Sequence, residues 1–261
     1  MSASPGLRPY LMRWRKHSLA DEWADPAIGA TMSPMASTHA LGDLTWTEVR
    51  DSPRIVLIPV GSLEQHGPHL PLDTDTRIAT AIAEHVCELR EDLVVGPAVG
   101  IGASGEHAGF EGTLSIGTDA LTTVLVELAR SADAFAGVVF VNGHGGNRDA
   151  LLAARAILRL EARTVVAWSP SIPGGDAHAG RSETSILLAI DPECVRTDAM
   201  EAGATAPLGE LLDDLQSGGV KSVSENGVLG DPRTATAEHG NELFLGLIAD
   251  LALTIDKVFP R

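Results

Sequence analysis

The chain has 261 residues, and 44% of them are hydrophobic, which is enough for one large core and does not require two domains. Its formal net charge of −16 disfavours nucleic acid or an anionic membrane as a partner, because like charges repel. No apolar run approaches the length of about 18 residues that a membrane span needs. The two cysteines, Cys87 and Cys194, fit reduced thiols, and we predict a cytoplasmic protein.

The first 38 residues differ in character from the rest of the chain. A basic patch around Trp14 is not followed by an apolar stretch, which argues against a secretory signal. Prolines, glycines and serines with little periodicity come next. We expect residues 1–38 to be a disordered arm, or an extension that is absent if translation begins at Met32 or Met35. The folded domain is predicted to cover residues 39–261.

From residue 40 onwards, apolar strand-like runs alternate with helical patterns. Strands are predicted over 55–60, 93–99, 138–141 and 165–168, and helices over 76–90, 119–135 and 149–160. A glycine-rich segment covers 100–117. Short Val/Ile runs between helices are typical of buried parallel strands. The alternation therefore predicts an α/β fold, with a three-layer, doubly wound and mostly parallel sheet.

The last third of the chain is less regular. We predict a helix over 203–216, an extended segment or hairpin over 220–229, and a closing amphipathic helix over 242–259. The hairpin prediction depends on Asn226-Gly227, a pair that favours tight turns.

Carboxylates and imidazoles follow the predicted strands at metal-ligand spacing. Glu64 and His66 come after the first strand, Asp75 lies before the next helix, and His144 follows the third strand. In doubly wound sheets, ligands bind outside the carboxyl ends of the strands. Carboxylates mixed with imidazoles, without thiolates, suit a hydrolytic divalent-metal site better than a structural zinc. The sequence thus predicts a metal-dependent amide hydrolase.

Each candidate ligand also has a simpler interpretation. Glu64 and His66 project to one side of an extended segment and can reach two metals, or they belong to a surface loop. Asp75 can bridge two ions ~3.5–4 Å apart, or it caps a helix, a role that we assign to Asp73 instead. His144 lies in a glycine-rich turn of a kind that also binds phosphate, but no nucleotide-binding motif accompanies it.

His178 and Glu183 follow the fourth predicted strand and are the predicted catalytic residues. A binuclear site with three carboxylates and two histidines makes Glu183 a good fifth ligand, and leaves His178 free as general acid or base. The alternative for Glu183 is a helix start with Ser182 as the cap. His107 is expected to line the pocket.

Three ordered motifs resemble the creatininase family. They are Gly-Ser-Leu-Glu-Gln-His-Gly-Pro-His-Leu-Pro-Leu-Asp-Thr-Asp (61–75), Asn-Gly-His-Gly-Gly-Asn (142–147) and His-Ala-Gly-Arg-Ser-Glu-Thr-Ser (178–185). The resemblance implies an α/β fold, a binuclear metal centre, amide hydrolysis and a homo-oligomer, often a hexamer. It assigns metal binding to Glu64, His66, Asp75 and His144. Zinc, iron and manganese all fit such a site.

Creatinine itself is a poor fit as the substrate. Creatininase has an aromatic residue and a glutamate ligand after the motif histidine, where this chain has Gly145 and Gly146. That departure strengthens Glu183 as the replacement ligand. Stretches at 102–107, 113–118, 173–176 and 226–232 resemble a branch of the family that trims a modified precursor peptide near its C-terminus.

The resemblance to this branch implies a peptidase that releases a Val-Tyr-derived dipeptide. Its partner would be the precursor peptide. The alternatives are hydrolysis of creatinine or of a formamide, or a binding subunit with a vestigial site.

Overall fold

The computed structural model describes residues 39–261, and the extension predicted over residues 1–38 lies outside them. Four parallel strands form one sheet in the order β2-β1-β3-β4. They are β1 (Ile55–Val60), β2 (Leu93–Val95), β3 (Gly137–Asn142) and β4 (Val165–Trp168). The predicted α/β fold is confirmed, and β1 and β4 have the predicted bounds.

Eight α-helices accompany the sheet in the described residues. They are α1 (Trp46–Asp51), α2 (Thr74–Cys87), α3 (Gly117–Ser131), α4 (Arg148–Leu160), α5 (Arg181–Ile190), α6 (Leu208–Gly218), α7 (Val220–Val223) and α8 (Ala237–Val258). Two of the short 3-10 helices, Gly105–His107 and Gly145–Asn147, lie in loops that follow β2 and β3. No helix of residues 39–261 is both long and apolar enough to cross a membrane.

The sheet is covered on both faces, because successive strand side chains point to opposite sides. Leu57 of β1 belongs to a core cluster that includes Ile82 of α2 and Leu251 of α8. Ile58 belongs to a second cluster, with Leu125 of α3 and Leu158 of α4. The molecule therefore has three layers, as the continuous apolar strands predicted.

Two predicted elements differ from the structure. β2 ends at Val95 rather than at residue 99, because Pro97 has no N–H for the ladder, although Val99 again donates to the Pro59 carbonyl at 2.8 Å. The extended segment predicted over 220–229 is wrong at its start, where α7 is helical. Gly219, with φ of 69°, ends α6 and lets α7 begin at once. Within residues 220–229, only Leu229 forms a β-bridge, and its partner is His178.

The strand order creates a cleft. The chain leaves β1 towards β2 on one side, while β3 lies on the other side of β1. Loops from the carboxyl ends of β1 and β3 therefore diverge, and ligands of doubly wound sheets bind at such a point.

Candidate metal centre

The residues predicted as metal ligands converge at the carboxyl ends of β1 and β3. Glu64 and His66, in the loop after β1, are 0% exposed, and Asp75, in the first turn of α2, is 3% exposed. His144 lies two residues after the end of β3 and is buried as well. Ionisable groups are rarely buried together unless each is paired or binds a metal. The cluster therefore needs a specific electrostatic explanation.

Asp75 lies between the two histidines. Its Oδ1 is 3.0 Å from Nε2 of His66, and its Oδ2 is 3.1 Å from Nδ1 of His144. The Ser62 hydroxyl donates to Oδ2 at 2.8 Å and fixes the carboxylate plane. One oxygen thus faces each imidazole, which is the placement that a bridging carboxylate requires.

A close approach of two chain segments makes this arrangement possible. Gly143, between β3 and His144, packs so tightly on α2 that a Cβ atom there would lie 2.4 Å from the Asp75 carbonyl oxygen. Any other residue would push α2 away from β3, and Asp75 with it. The glycine before His144 is therefore a requirement of the site geometry.

Each histidine is oriented through its outward nitrogen. Nδ1 of His66 is 3.1 Å from the Glu64 carbonyl oxygen, and Nε2 of His144 is 3.2 Å from the Ala103 carbonyl oxygen. Because a carbonyl oxygen only accepts, each of these nitrogens carries the proton in the neutral ring. The other nitrogen of each ring then presents a lone pair to Asp75, as in metal-ligating histidines.

Glu64 supplies the strongest sign of a cation. Neither of its carboxylate oxygens has a hydrogen-bond partner among residues 39–261, although both are buried. Nδ1 of His144 and Nε2 of His107 lie 3.1 and 3.3 Å from its Oε1 without hydrogen-bond geometry. A buried carboxylate without partners is very costly, whereas a divalent ion among these atoms would satisfy it. The residues present therefore fit a bound metal.

The electrostatics of the cluster point the same way. Burial lowers the pKa of His66, but the charge and hydrogen bond of Asp75, with the charges of Glu183 and Glu64, together raise that pKa to about 9. Burial likewise lowers the pKa of His144, but hydrogen bonds with Asp75, Glu106 and Glu64 together raise it well above its usual value. Burial raises the pKa of Asp75, yet the charges and hydrogen bonds of His66 and His144 together bring it well below its usual value. The carboxylates thus favour positive charge between them.

His178, in the loop after β4, and Glu183, in the first turn of α5, lie beside the cluster. Oxygen and nitrogen ligand atoms of His66, His178 and Glu183 lie within 4.8 Å of one another. Glu183 Oε2 accepts from the Ala179 N–H at 2.6 Å, which leaves Oε1 for another partner. Ala179 has φ of 50°, an uncommon conformation of the kind found where a loop is held for function. Burial, with help from Asp75, raises the pKa of Glu183 to about 7.

Sequence reasoning assigned three supporting residues differently. Asp73 occupies the N-cap position of α2, but its carboxylate accepts from Arg77 Nε at 2.7 Å and does not cap. Ser182 does not cap α5, whose N-cap is Gly180, and the Asp176 carboxylate accepts from the backbone N–H groups of Arg181 and Ser182.

The positions of Asn142 and Asn147 beside His144 in the sequence suggest that one or the other orients its ring. Instead, the Asn142 side chain donates to the His144 carbonyl at 2.7 Å, so it fixes the backbone. Asn147 ties the loops after β1 and β2 together, because it donates to the Gly61 carbonyl and accepts from the Ala103 N–H, each at 2.9 Å.

Two residues of the loop after β2 have a larger part than the sequence predicted. Glu106 Oε1 lies 3.4 Å from Nε2 of His144, on the side of the ring away from Asp75. His107, expected only to line the pocket, forms a possible ligand group with Glu64 and His178. The adjacent Glu-His pair in a glycine-rich loop was the available signal.

Glu106 also explains Gly146. A Cβ atom at Gly146 would lie 2.4 Å from Glu106 Oε1 and 2.5 Å from Nε2 of His144. The space beside the histidine is therefore already filled by a carboxylate from another loop, and position 146 has no room for a side chain.

Comparisons with known proteins agree with this geometry. The family described as creatininase, creatinine amidohydrolase, matches residues 42–255. The chain is 52% identical over 233 residues to the mycofactocin precursor peptide peptidase of Mycolicibacterium smegmatis, with 87% of this chain and 94% of that protein covered. It is 50% identical over 232 residues to the protein of the same name from Mycobacterium tuberculosis, with 85% and 92% covered. The solved structure titled "Creatininase Mn" has a TM-score of 0.71 at 26% identity, with 85% and 99% covered.

Proposed function

Since the chain belongs to the creatininase family, we propose that it is a metal-dependent peptidase that cleaves the modified mycofactocin precursor peptide near its C-terminus. Two observations together support the proposal. A relative named for that activity is 52% identical over 233 residues, which points to the substrate. The Glu64 carboxylate is buried without a hydrogen-bond partner among residues 39–261, which points to metal-dependent chemistry. The product would be a Val-Tyr-derived dipeptide.

Five side chains would hold two divalent ions, with zinc, iron or manganese as the candidates. Asp75 would bridge them, because its two oxygens face different histidines. Glu64 and His144 would serve one ion, and His66 and Glu183 the other, as their mutual distances suggest. When bound, such ions lower the pKa of a coordinated water and polarise a carbonyl group. The "Creatininase Mn" structure supports divalent metals in the family.

His178 is proposed as the residue that moves a proton. Its Nε2 lies 2.8 Å from the Gln65 carbonyl oxygen and carries the proton in the neutral ring. Its Nδ1 then has a free lone pair and lies 3.9 Å from Glu64 Oε1, on the cluster side. In amide hydrolysis a base takes a proton from the attacking water, and an acid returns one to the leaving amine. Under this proposal, Nδ1 of His178 serves both steps.

The site also keeps bulk water away from the reacting groups. The rings of His66 and His107 lie 4.4 and 4.5 Å from the ring of His178, which is 7% exposed. Exclusion of water strengthens every charge interaction in such a site.

Mass spectrometry of the modified precursor peptide tests the proposal. The full chain, loaded with zinc or manganese, is incubated with the peptide, and the same sample with excess chelator serves as the control. We expect loss of intact peptide and appearance of a small C-terminal fragment only when metal is present. Creatinine is offered in a parallel reaction.

Two results would decide against the proposal. An uncut precursor, together with consumption of creatinine, would favour hydrolysis of the small cyclic amide. Equal cleavage with and without chelator, after removal of metal is verified by elemental analysis, would contradict a metal-dependent mechanism.

A further inference from the structure

A groove opens beside the metal cluster, at the carboxyl ends of β3 and β4. It has a volume of about 320 Å³ and reaches from His144 and Gly145 to Pro170. Leu151 and Leu152 of α4 form its apolar wall, and Leu152 is 47% exposed. The groove therefore joins a polar reaction centre to an open, partly apolar surface.

Two arginines of α4, Arg148 and Arg155, line this groove. Both are exposed, and neither makes an ion pair or a side-chain hydrogen bond with residues 39–261. Other arginines of these residues, such as Arg90 and Arg163, pair with carboxylates. In a chain with a net charge of −16, the two unpaired guanidinium groups give this groove a local positive charge. They are available for an anionic ligand.

The spacing of the arginines sets the shape of that ligand. Seven residues along a helix bring side chains back to the same face after about 10 Å. An extended peptide covers this distance with about three residues. One carboxylate alone does not match two guanidinium groups placed in this way, whereas two acidic side chains of an extended peptide do.

The groove borders the metal cluster at His144 and Gly145, which both line it. A Cβ atom at Gly145 would meet no atom within 4 Å, so the groove has free space beside the residue that follows His144. A peptide lying along α4 would meet His144 at this point.

We propose that Arg148 and Arg155 form a subsite that binds acidic side chains of the peptide substrate and holds the chain extended along α4. The proposal rests on the proposed function, since it assumes a peptide substrate. It assigns affinity and selectivity to the groove, and chemistry to the metal cluster. Binding through the two arginines lowers KM and leaves the reacting bond to the cluster.

Steady-state kinetics on the precursor peptide test the subsite. The metal-loaded full chain is compared with Arg148→Ala, Arg155→Ala and the double variant. Arg159→Ala is the matched control, because Arg159 is an exposed arginine of the same helix outside the groove. We expect KM to rise roughly tenfold for each groove arginine, with kcat and metal content nearly unchanged, as for loss of a charge-assisted contact. Arg159→Ala should behave like the unmodified chain.

A second peptide identifies the source of the carboxylates. In it, the aspartates and glutamates of the precursor are replaced by asparagine and glutamine. The unmodified chain should bind this peptide with the raised KM of the double variant, and the double variant should no longer distinguish the two peptides. Amidation of the C-terminus alone should have little effect. If that amidation reproduces the loss, or if the double variant keeps the original KM, the subsite is wrong.

Fluorescence anisotropy of a labelled precursor separates the two proposals. Binding that weakens in the double variant supports the subsite even if no cleavage is found, whereas cleavage with unchanged binding in all variants leaves the proposed function standing and removes the subsite. Gly145→Phe adds a steric test. It should raise KM while the metal content is kept, because the new side chain fills the groove beside His144.

Discussion

Nδ1 of His144 lies 3.1 Å from Oε1 of Glu64, yet no hydrogen bond joins them. Because Nε2 of His144 faces the Ala103 carbonyl at 3.2 Å and carries the proton there, Nδ1 is an acceptor in the neutral ring, like the carboxylate opposite. With the ring neutral, two acceptors buried face to face repel each other unless a metal ion lies between them, whereas without metal the raised pKa of His144 keeps a second proton on the ring. This pair therefore links the stability of the chain to metal binding.

Glu64→Gln should abolish stabilisation by metal. The amide is nearly isosteric with the carboxylate but lacks the charge that holds a divalent ion. We expect zinc or manganese at about 100 times the dissociation constant to raise the free energy of unfolding of the unmodified chain by about 3 kcal/mol, and to leave that of Glu64→Gln nearly unchanged. Thermal denaturation with metal and with chelator measures the effect. Equal stabilisation of the two proteins by metal would contradict a cation-binding role of Glu64.

Asp75→Ala should abolish the binding of both metal ions, whereas Glu64→Ala and His66→Ala should each weaken the binding of mainly one ion. The physical reason is that only the Asp75 carboxylate presents one oxygen to each histidine. Elemental analysis of the purified variants measures the metal content. Asp73→Ala is the control, because the Asp73 carboxylate is partly exposed and pairs with Arg77 instead. Retention of both ions by Asp75→Ala would exclude the bridging role.

The sequence predicted the sheet and most of the cluster because both depend on local patterns. Runs such as Ile55–Val60 are apolar at every position, and a parallel strand buried on both faces has this pattern. Glu64 and His66 follow such a strand directly, so their placement came from the strand itself. The interpretation of Asp75 as a site residue rather than a cap agrees with the structure, in which its carboxylate faces two histidines.

What sequence reasoning could not supply were contacts between distant loops. Glu106 and His144 are 38 positions apart in the sequence (144 − 106), and no local pattern predicts their contact. The same holds for Asn147, which bonds the Gly61 carbonyl from another strand end. α7 begins at Val220 because Gly219 has a left-handed conformation. The Asn226-Gly227 pair further along the chain favoured a hairpin instead, so the sequence did not predict this helix.

Gly146→Ala should lower metal affinity, whereas Gly145→Ala should be tolerated. A Cβ atom at Gly146 would lie 2.4 Å from the Ala103 carbonyl oxygen, a backbone atom that holds His144 in place, whereas the same atom at Gly145 meets nothing within 4 Å. A displaced supporting contact of a metal-ligating histidine typically costs about 10–100-fold in metal affinity. Metal titration of the two variants makes the comparison. Equal affinities would show that the loop relaxes without moving the histidine.

Both cysteines should resist alkylation in the folded protein. Burial raises the pKa of the Cys87 thiol to about 12 and that of Cys194 to about 11, so at mildly alkaline pH almost no thiolate is present. Labelling with iodoacetamide, followed by mass spectrometry, should be slow until denaturant exposes the chain. Rapid labelling of Cys87 in the native state would show that the α2 layer opens.

His178→Ala should keep its metal ions and lose most turnover. Nε2 of His178 is directed to the Gln65 carbonyl, and its Nδ1 is on the cluster side with no hydrogen bond, as a proton carrier requires. We expect kcat to fall by roughly 10²–10⁴, the usual contribution of general acid–base catalysis. Peptide cleavage and elemental analysis are measured on the same preparation, with His239→Ala as a control for removal of a histidine far from the cluster. Loss of one ion in His178→Ala would instead make His178 a metal ligand. Its ring lies close enough to His66 and Glu183 for the three to bind one ion. Unchanged turnover would exclude both roles.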